Sequence, residues 1–207
     1  MSRESILHRV RTGLGRSAGQ PMGDPPPVRL RLPVVEMDRR IESLLARVEA
    51  LAGRAFVSAD PRSEVAAMVE GKTAVASNAP VLAEFGITSL PGVRSGFDDV
   101  ESLRAACAVA DFGITSADYA LADTGTLVLL ASSREARLIS LLPPSHIAVV
   151  SRDRILTGLD ELFTILPRPA EQTSSMVLIT GPSRTGDIEQ ILVRGVHGPG
   201  QITVIVT

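Results

Sequence analysis

AFVSADPRSEVAAMVEGKTAVAS, residues 55–77, decides the fold. Ala55–Ser58 is a short apolar run of strand character, and Thr73–Ser77 is another. Between them, Asp60-Pro61 has the form of a helix N-cap followed by proline at the first helical position. Proline is well placed there, because the N–H it lacks would have no partner within the helix. The helix it opens runs to about Glu70. Strand, helix and strand in so short a span form a βαβ unit, which predicts a mainly parallel sheet flanked by helices. The fold class is α/β, in a single domain.

The same alternation continues on both sides. Upstream, Met37, Ile41, Leu44, Leu45, Val48 and Leu51 make a helical stripe that ends before Gly53. Downstream, Asn78-Ala79-Pro80 starts a helix through Glu84, residues 86–97 are loop-like, and Asp98 or Asp99 caps a helix to about Ala108. His146–Val150 and Ile202–Val206 are apolar strands. Asp160–Leu166 is helical and stopped by Pro167, and residues 168–175 form a polar loop. This body spans residues 35–207. A proline-rich linker, residues 21–34, precedes it and contains three consecutive prolines at 25–27. Residues 1–20 form an N-terminal helical arm, with Ile6, Val10 and Leu14 on one stripe and Arg3, Arg9, Arg11 and Arg16 around it. The arm packs on its own domain or grips a partner.

Composition narrows the function. The 207 residues are 44% hydrophobic with net charge −2, so no broad basic surface for nucleic acid is implied. One Tyr, five Phe and no Trp argue against a stacking platform for single strands. Lys72 is the only lysine, so the positive charge is nearly all arginine, the side chain suited to bidentate anion contacts. Cys107 is the only cysteine and reads as a buried structural thiol. Alone it holds neither a disulfide nor an iron–sulfur cluster nor a zinc ion. Three scattered histidines give no metal-ligand pattern, and no cofactor is expected on this chain. No apolar run reaches membrane-spanning length, and a cytoplasmic location is expected.

Two polar segments stand out. In residues 176–199, the apolar run Met176–Thr180 reads as a buried strand opening into Gly181-Pro182-Ser183-Arg184-Thr185. Hydroxyls, a guanidinium and free N–H groups meet there, and a helix beginning after Asp187 would add its positive end. This suits a small carboxylate or phosphate; the Walker lysine is missing. The second segment is GITSADYALADTGTLVLL, residues 113–130. Asp123-Thr124-Gly125-Thr126 makes a tight connection between Tyr119–Ala122 and the apolar strand Leu127–Leu130. Two such turns beside strands are expected to converge at one rim of the sheet.

GITSADYALADTGTLVL, RLISLLPPSHIAVV at 137–150, ITGPSRTGDIE and GVHGP, in that order, resemble the lactate utilization protein C family of LUD-domain proteins. The resemblance is strong over residues 108–207. It implies an architecture like that of the NagB/RpiA and coenzyme A transferase folds. It also implies a role in oxidising L-lactate to pyruvate beside iron–sulfur partner proteins, whose clusters carry the electrons. The family pattern often carries Glu where this chain has Asp123, so a catalytic carboxylate there is in question.

The candidate ligand-binding residues are Ser116, Asp118, Thr124, Gly125, Thr126, Arg137, Ser183, Arg184, Thr185 and His197. Ser116 and Asp118 offer a hydroxyl and a carboxylate. Arg137, before the double proline, would neutralise a carboxylate or cap a helix end. Asp187 reads as a helix cap, with Glu189 pointing elsewhere. His197, between Gly195 and Gly198-Pro199, lines the pocket and is the weak candidate for catalysis. His146 reads as structural. The first function reading is a non-redox component of lactate utilization that binds a small anion. The alternative is an independent enzyme or sensor for a sugar phosphate or a coenzyme A-linked or carboxylate ligand.

Overall fold

The computed structural model describes residues 2–17, 19–20, 34–132, 136–186 and 193–207. The chain divides after residue 31 into two compact units. The first contains helix α1 (Arg3–Gly13), whose N-cap Ser2 accepts a hydrogen bond from the Ser5 N–H. Apart from Val34, the linker expected over 21–34 lies outside the described residues.

The second unit begins with α2 (Met37–Ala50), β1 (Arg54–Val57), α3 (Pro61–Val69), β2 (Ala74–Ala76), α4 (Pro80–Glu84) and β3 (Val93–Arg94). Next come α5 (Val100–Val109), β4 (Phe112–Ser116), β5 (Tyr119–Leu121), β6 (Thr126–Leu130), α6 (Arg137–Leu141) and β7 (Ser145–Val150). It ends with β8 (Ile155–Leu156), α7 (Leu159–Ile165), α8 (Pro169–Gln172), β9 (Met176–Ile179), β10 (Arg184–Thr185), β11 (Val193–Arg194) and β12 (Gln201–Val206).

Six strands form a wholly parallel sheet in the order β1-β12-β7-β4-β2-β3. Its central strands are covered on both faces, which is why Ile147–Val150 and Val204–Val206 are continuous apolar runs. On one face, Ile114, Ile147, Val149 and Ile205 pack against Val65 and Val69 of α3 and Leu82 of α4. On the other, Ala148, Val150, Val204 and Val206 meet Ile41, Leu44 and Val48 of α2 and the inner face of a second sheet. That second sheet has the order β8-β5-β6-β9 and mixed pairing. Its outer face, with Leu121, Val128 and Leu156, is covered by Leu162 and Leu166. The predicted caps are in place: Asp60 and Asp99 accept from the N–H groups of Ser63 and Ser102.

Three expectations are corrected. Residues 113–116, which open the polar segment 113–130, belong to a strand of the parallel sheet, in which Gly113, Ile114 and Thr115 are buried. Met176–Ile179 is an edge strand of the small sheet, with Leu178 45% exposed, and not a buried strand. Val93–Arg94, in the expected loop, adds an edge strand beside β2.

Candidate functional site

The chain reverses its winding direction at β2 and β4: from β2 it moves outward to β3, and from β4 it moves the other way to β7 and β12. In open α/β sheets, ligands bind outside the carboxyl ends of strands at such a reversal. A cleft of about 230 Å³ opens at this rim one strand away from the reversal, beside Ser116 at the end of β4 and Ser151 just after β7. Asp118, Tyr119, Arg154 and Gln172 also line it.

Strand pairing places these groups. β5 runs parallel to β8, with Ala120 opposite Ile155, so Tyr119 and Arg154 enter their strands side by side. The Arg154 guanidinium lies 5.7 Å from the centre of the Tyr119 ring. Its ion pair is a loose one, 3.7 Å, to the adjacent Asp153. The Asp118 N–H donates to the Val128 carbonyl, continuing the β5–β6 pairing. Asp118 Oδ2 accepts a 2.7 Å bond from the Leu130 N–H, which fixes the carboxylate against the end of β6. Oδ1 has no hydrogen-bond partner among the described residues. Burial pushes the Asp118 carboxyl above the usual range, while the Leu130 N–H and the charge of Arg154 oppose that rise. A carboxylate with an open oxygen thus shares a cleft with a stacked guanidinium. Such a pair can hold a ligand with a carboxylate at one end and a hydroxyl at the other.

The remaining predicted residues lie elsewhere. Ser183, Arg184 and Thr185 sit at the opposite rim, where the strands of the parallel sheet begin. The Ser183 N–H donates to the Pro199 carbonyl (2.8 Å), and the Gly200 N–H donates to Pro144, just ahead of β7. The two polar turns, Asp123–Thr126 and Gly181–Thr185, thus converge at the amino rim, where Thr126 Oγ1 lies 2.8 Å from Thr180 Oγ1, whereas Ser116 and Asp118 lie at the carboxyl rim. Arg184 and Thr185 pair with Arg194 and Val193 as a small antiparallel ladder. Asp187, Glu189 and the helix expected after Asp187 lie outside the described residues. The Arg184 guanidinium donates to the Leu51 carbonyl at the end of α2. Exposed His197 lines a largely apolar cleft of about 190 Å³ with Thr180, Ser183 and Leu141.

The Thr124–Thr126 turn belongs to this amino rim as well. Thr126 Oγ1 donates to Thr124 Oγ1 and lies 2.8 Å from Thr180 Oγ1, and Thr124 donates to Asp123. These hydroxyls are largely engaged with one another. Gly125 has φ +70°, and a Cβ there would lie 2.8 Å from Arg47 Cβ and 2.9 Å from the Val48 nitrogen, so the turn lies directly on α2. Arg137 belongs to neither cleft; it is exposed and bonds Ser175 Oγ at 3.3 Å.

Sequence reasoning missed Arg154, Ser151, Tyr119 and Gln172. The available signal was position: Ser151-Arg152-Asp153-Arg154 directly follows the apolar strand β7, so it had to emerge at the carboxyl rim. Among the described residues no helix is long and apolar enough to cross a membrane.

The molecule is thus a mainly parallel α/β domain with a polar cleft at its carboxyl rim. The LUD domain matches residues 41–207, and the chain belongs to that family. It is 36% identical over 137 residues to lactate utilization protein C of Halalkalibacterium halodurans, covering 62% of this chain and 60% of that relative. The corresponding protein of Anoxybacillus flavithermus is 34% identical over 155 residues, 71% of this chain and 68% of the relative. The chain's match thus spans about three-fifths to two-thirds of these relatives. A solved DUF162 family protein from Deinococcus radiodurans shares the fold, with TM-score 0.65 at 21% identity over 84% of this chain and 99% of that one.

Proposed function

We propose that this chain is a non-redox component of L-lactate utilization and binds L-lactate at the carboxyl rim. The observation that carries the reading is the pairing of Asp118, with its open Oδ1, and stacked Arg154 in one cleft. The Arg154 guanidinium takes the lactate carboxylate, and Asp118 accepts from the 2-hydroxyl. Ser116 and Ser151 add hydroxyls on the strand side. The relatives named lactate utilization protein C support lactate as the ligand.

Conversion of L-lactate to pyruvate releases two electrons and two protons. Asp118, its affinity for a proton raised by burial, suits transfer of the hydroxyl proton. The α-hydrogen and the two electrons need an acceptor, and Cys107 alone holds no cluster, so in this reading the iron–sulfur partner proteins accept both, completing the loss of two protons and two electrons. The test is lactate oxidation by those partners with this chain present, omitted, or replaced by Arg154→Gln. The rate should collapse on omission and return on addition. The variant should restore about a tenth of it or less, as expected for loss of a charge-assisted hydrogen bond. An unchanged rate on omission removes the subunit role. Full restoration by the variant removes this cleft as the lactate site.

A further inference from the structure

At the amino rim, a cleft of about 350 Å³ lies where β1 and β12 begin. Arg54 and Arg194 line it, with Gly53, Gln201, Met68 and Phe112, and among the described residues no carboxylate does. The Arg54 guanidinium carbon is 4.8 Å from the centre of the Phe56 ring, which holds the cation against an aromatic face. Neither Arg54 nor Arg194 has an ion pair with a described residue.

Cross-strand geometry adds a second, independent observation. Arg194 stands directly opposite Arg184 in the β10–β11 ladder. Like charges directly opposite one another disfavour the pairing, and an anion bound beside them would offset that repulsion. Arg184 is relieved by donating to the Leu51 carbonyl at the negative end of α2. Arg194 has no such acceptor among the described residues, and it lines the cleft it shares with Arg54.

We propose that this cleft is a binding site for a phosphoryl group, distinct from the lactate cleft and independent of the reading given there. Two guanidinium forks match the oxygens of a phosphate, and among the described residues no carboxylate competes for them. Half-buried Met68 and Phe112 accommodate an apolar body attached to the phosphate. The ligand class is therefore a small phosphate monoester with an apolar or aromatic portion.

Calorimetric titration with phenyl phosphate and with inorganic phosphate tests this on the full chain, beside Arg54→Gln, Arg194→Gln and Asp118→Asn. Phenyl phosphate should bind more tightly than inorganic phosphate. Each arginine variant should weaken it about tenfold, the scale of a lost charged contact, and Asp118→Asn should leave it unchanged. Circular dichroism melting establishes that each variant is folded. Should one arginine variant fail to fold, the other carries the test. Equal binding by the folded arginine variants and the parent overturns the site. So does the absence of phenyl phosphate binding by the parent at millimolar concentration, or a change in binding by Asp118→Asn, in either direction, as large as that of the arginine variants, which would place the anion at the other rim.

Discussion

The two rims of the parallel sheet use similar residues to opposite effect. At the amino rim, Thr124, Thr126 and Thr180 hydrogen-bond one another, and Arg184 bonds the end of α2. Their polar atoms are spent on holding a hairpin against a helix. At the carboxyl rim, only one oxygen of Asp118 is held by the main chain, and Arg154 rests on a ring with its donors toward a cavity. A polar group is available to a ligand where the fold leaves it unsatisfied, and polar composition alone does not reveal which groups those are.

The sharpest way to break this contrast is Gly125→Val. The position combines φ +70° with close approach to the backbone of α2, so a branched side chain meets both backbone strain and a clash. The expected loss is on the order of 4 kcal/mol, at the upper end for a single substitution. Chemical denaturation measures it. A loss below about 1 kcal/mol, within the ordinary range for surface changes, would mean that the turn does not rest on α2.

A second test addresses the sheet between the rims. His146 on β7 is fully buried; its Nε2 lies 2.8 Å from Thr115 Oγ1 on β4, and its Nδ1 has no partner among the described residues. Burial depresses its pKa from 6.5 to about 4. The unfolded chain therefore takes up a proton between pH 6.5 and about 4 that the folded chain refuses. The contribution is complete above pH 6.5 and is lost as pH falls toward 4, by on the order of 3 kcal/mol. His146→Gln keeps an amide beside Thr115 and removes the titration, so its stability should fall less steeply over that range. Parallel acid limbs for variant and parent would exclude His146 as the source. The comparison also matters for ligand work, because lactate binding measured below pH 6 has to be separated from loss of the sheet.

Much of the architecture is legible from hydrophobic runs and caps. Ile202–Val206 and His146–Val150 read as strands because both their faces are covered, and Asp60 and Asp99 are caps in the sequence and in the fold. β4 was not legible, because Gly113, Thr115 and Ser116 carry turn chemistry. Their reasons are tertiary: a Cβ at residue 113 would lie 1.9 Å from the Ile139 carbonyl oxygen, and Thr115 bonds a buried histidine. The site was half legible. Ser116 and Asp118 were found by their polarity, but Arg154 reaches them only through the β5–β8 pairing, across thirty-odd residues of chain.

Arg137 supplies the last and smallest test. Its motif before the double proline made it a candidate for neutralising a ligand carboxylate, as Arg154 now is. The two differ in surroundings: Arg154 lines a cleft with a half-buried carboxylate, whereas Arg137 is exposed and among the described residues holds only the hydroxyl of Ser175. An exposed bond of that kind contributes about 0.5 kcal/mol or less. Arg137→Ala should therefore shift stability by no more than that and leave L-lactate binding unchanged, measured by calorimetry beside Arg154→Gln. If Arg137→Ala abolishes lactate binding and Arg154→Gln does not, the ligand sits beside α6, and the carboxyl rim loses its claim to it.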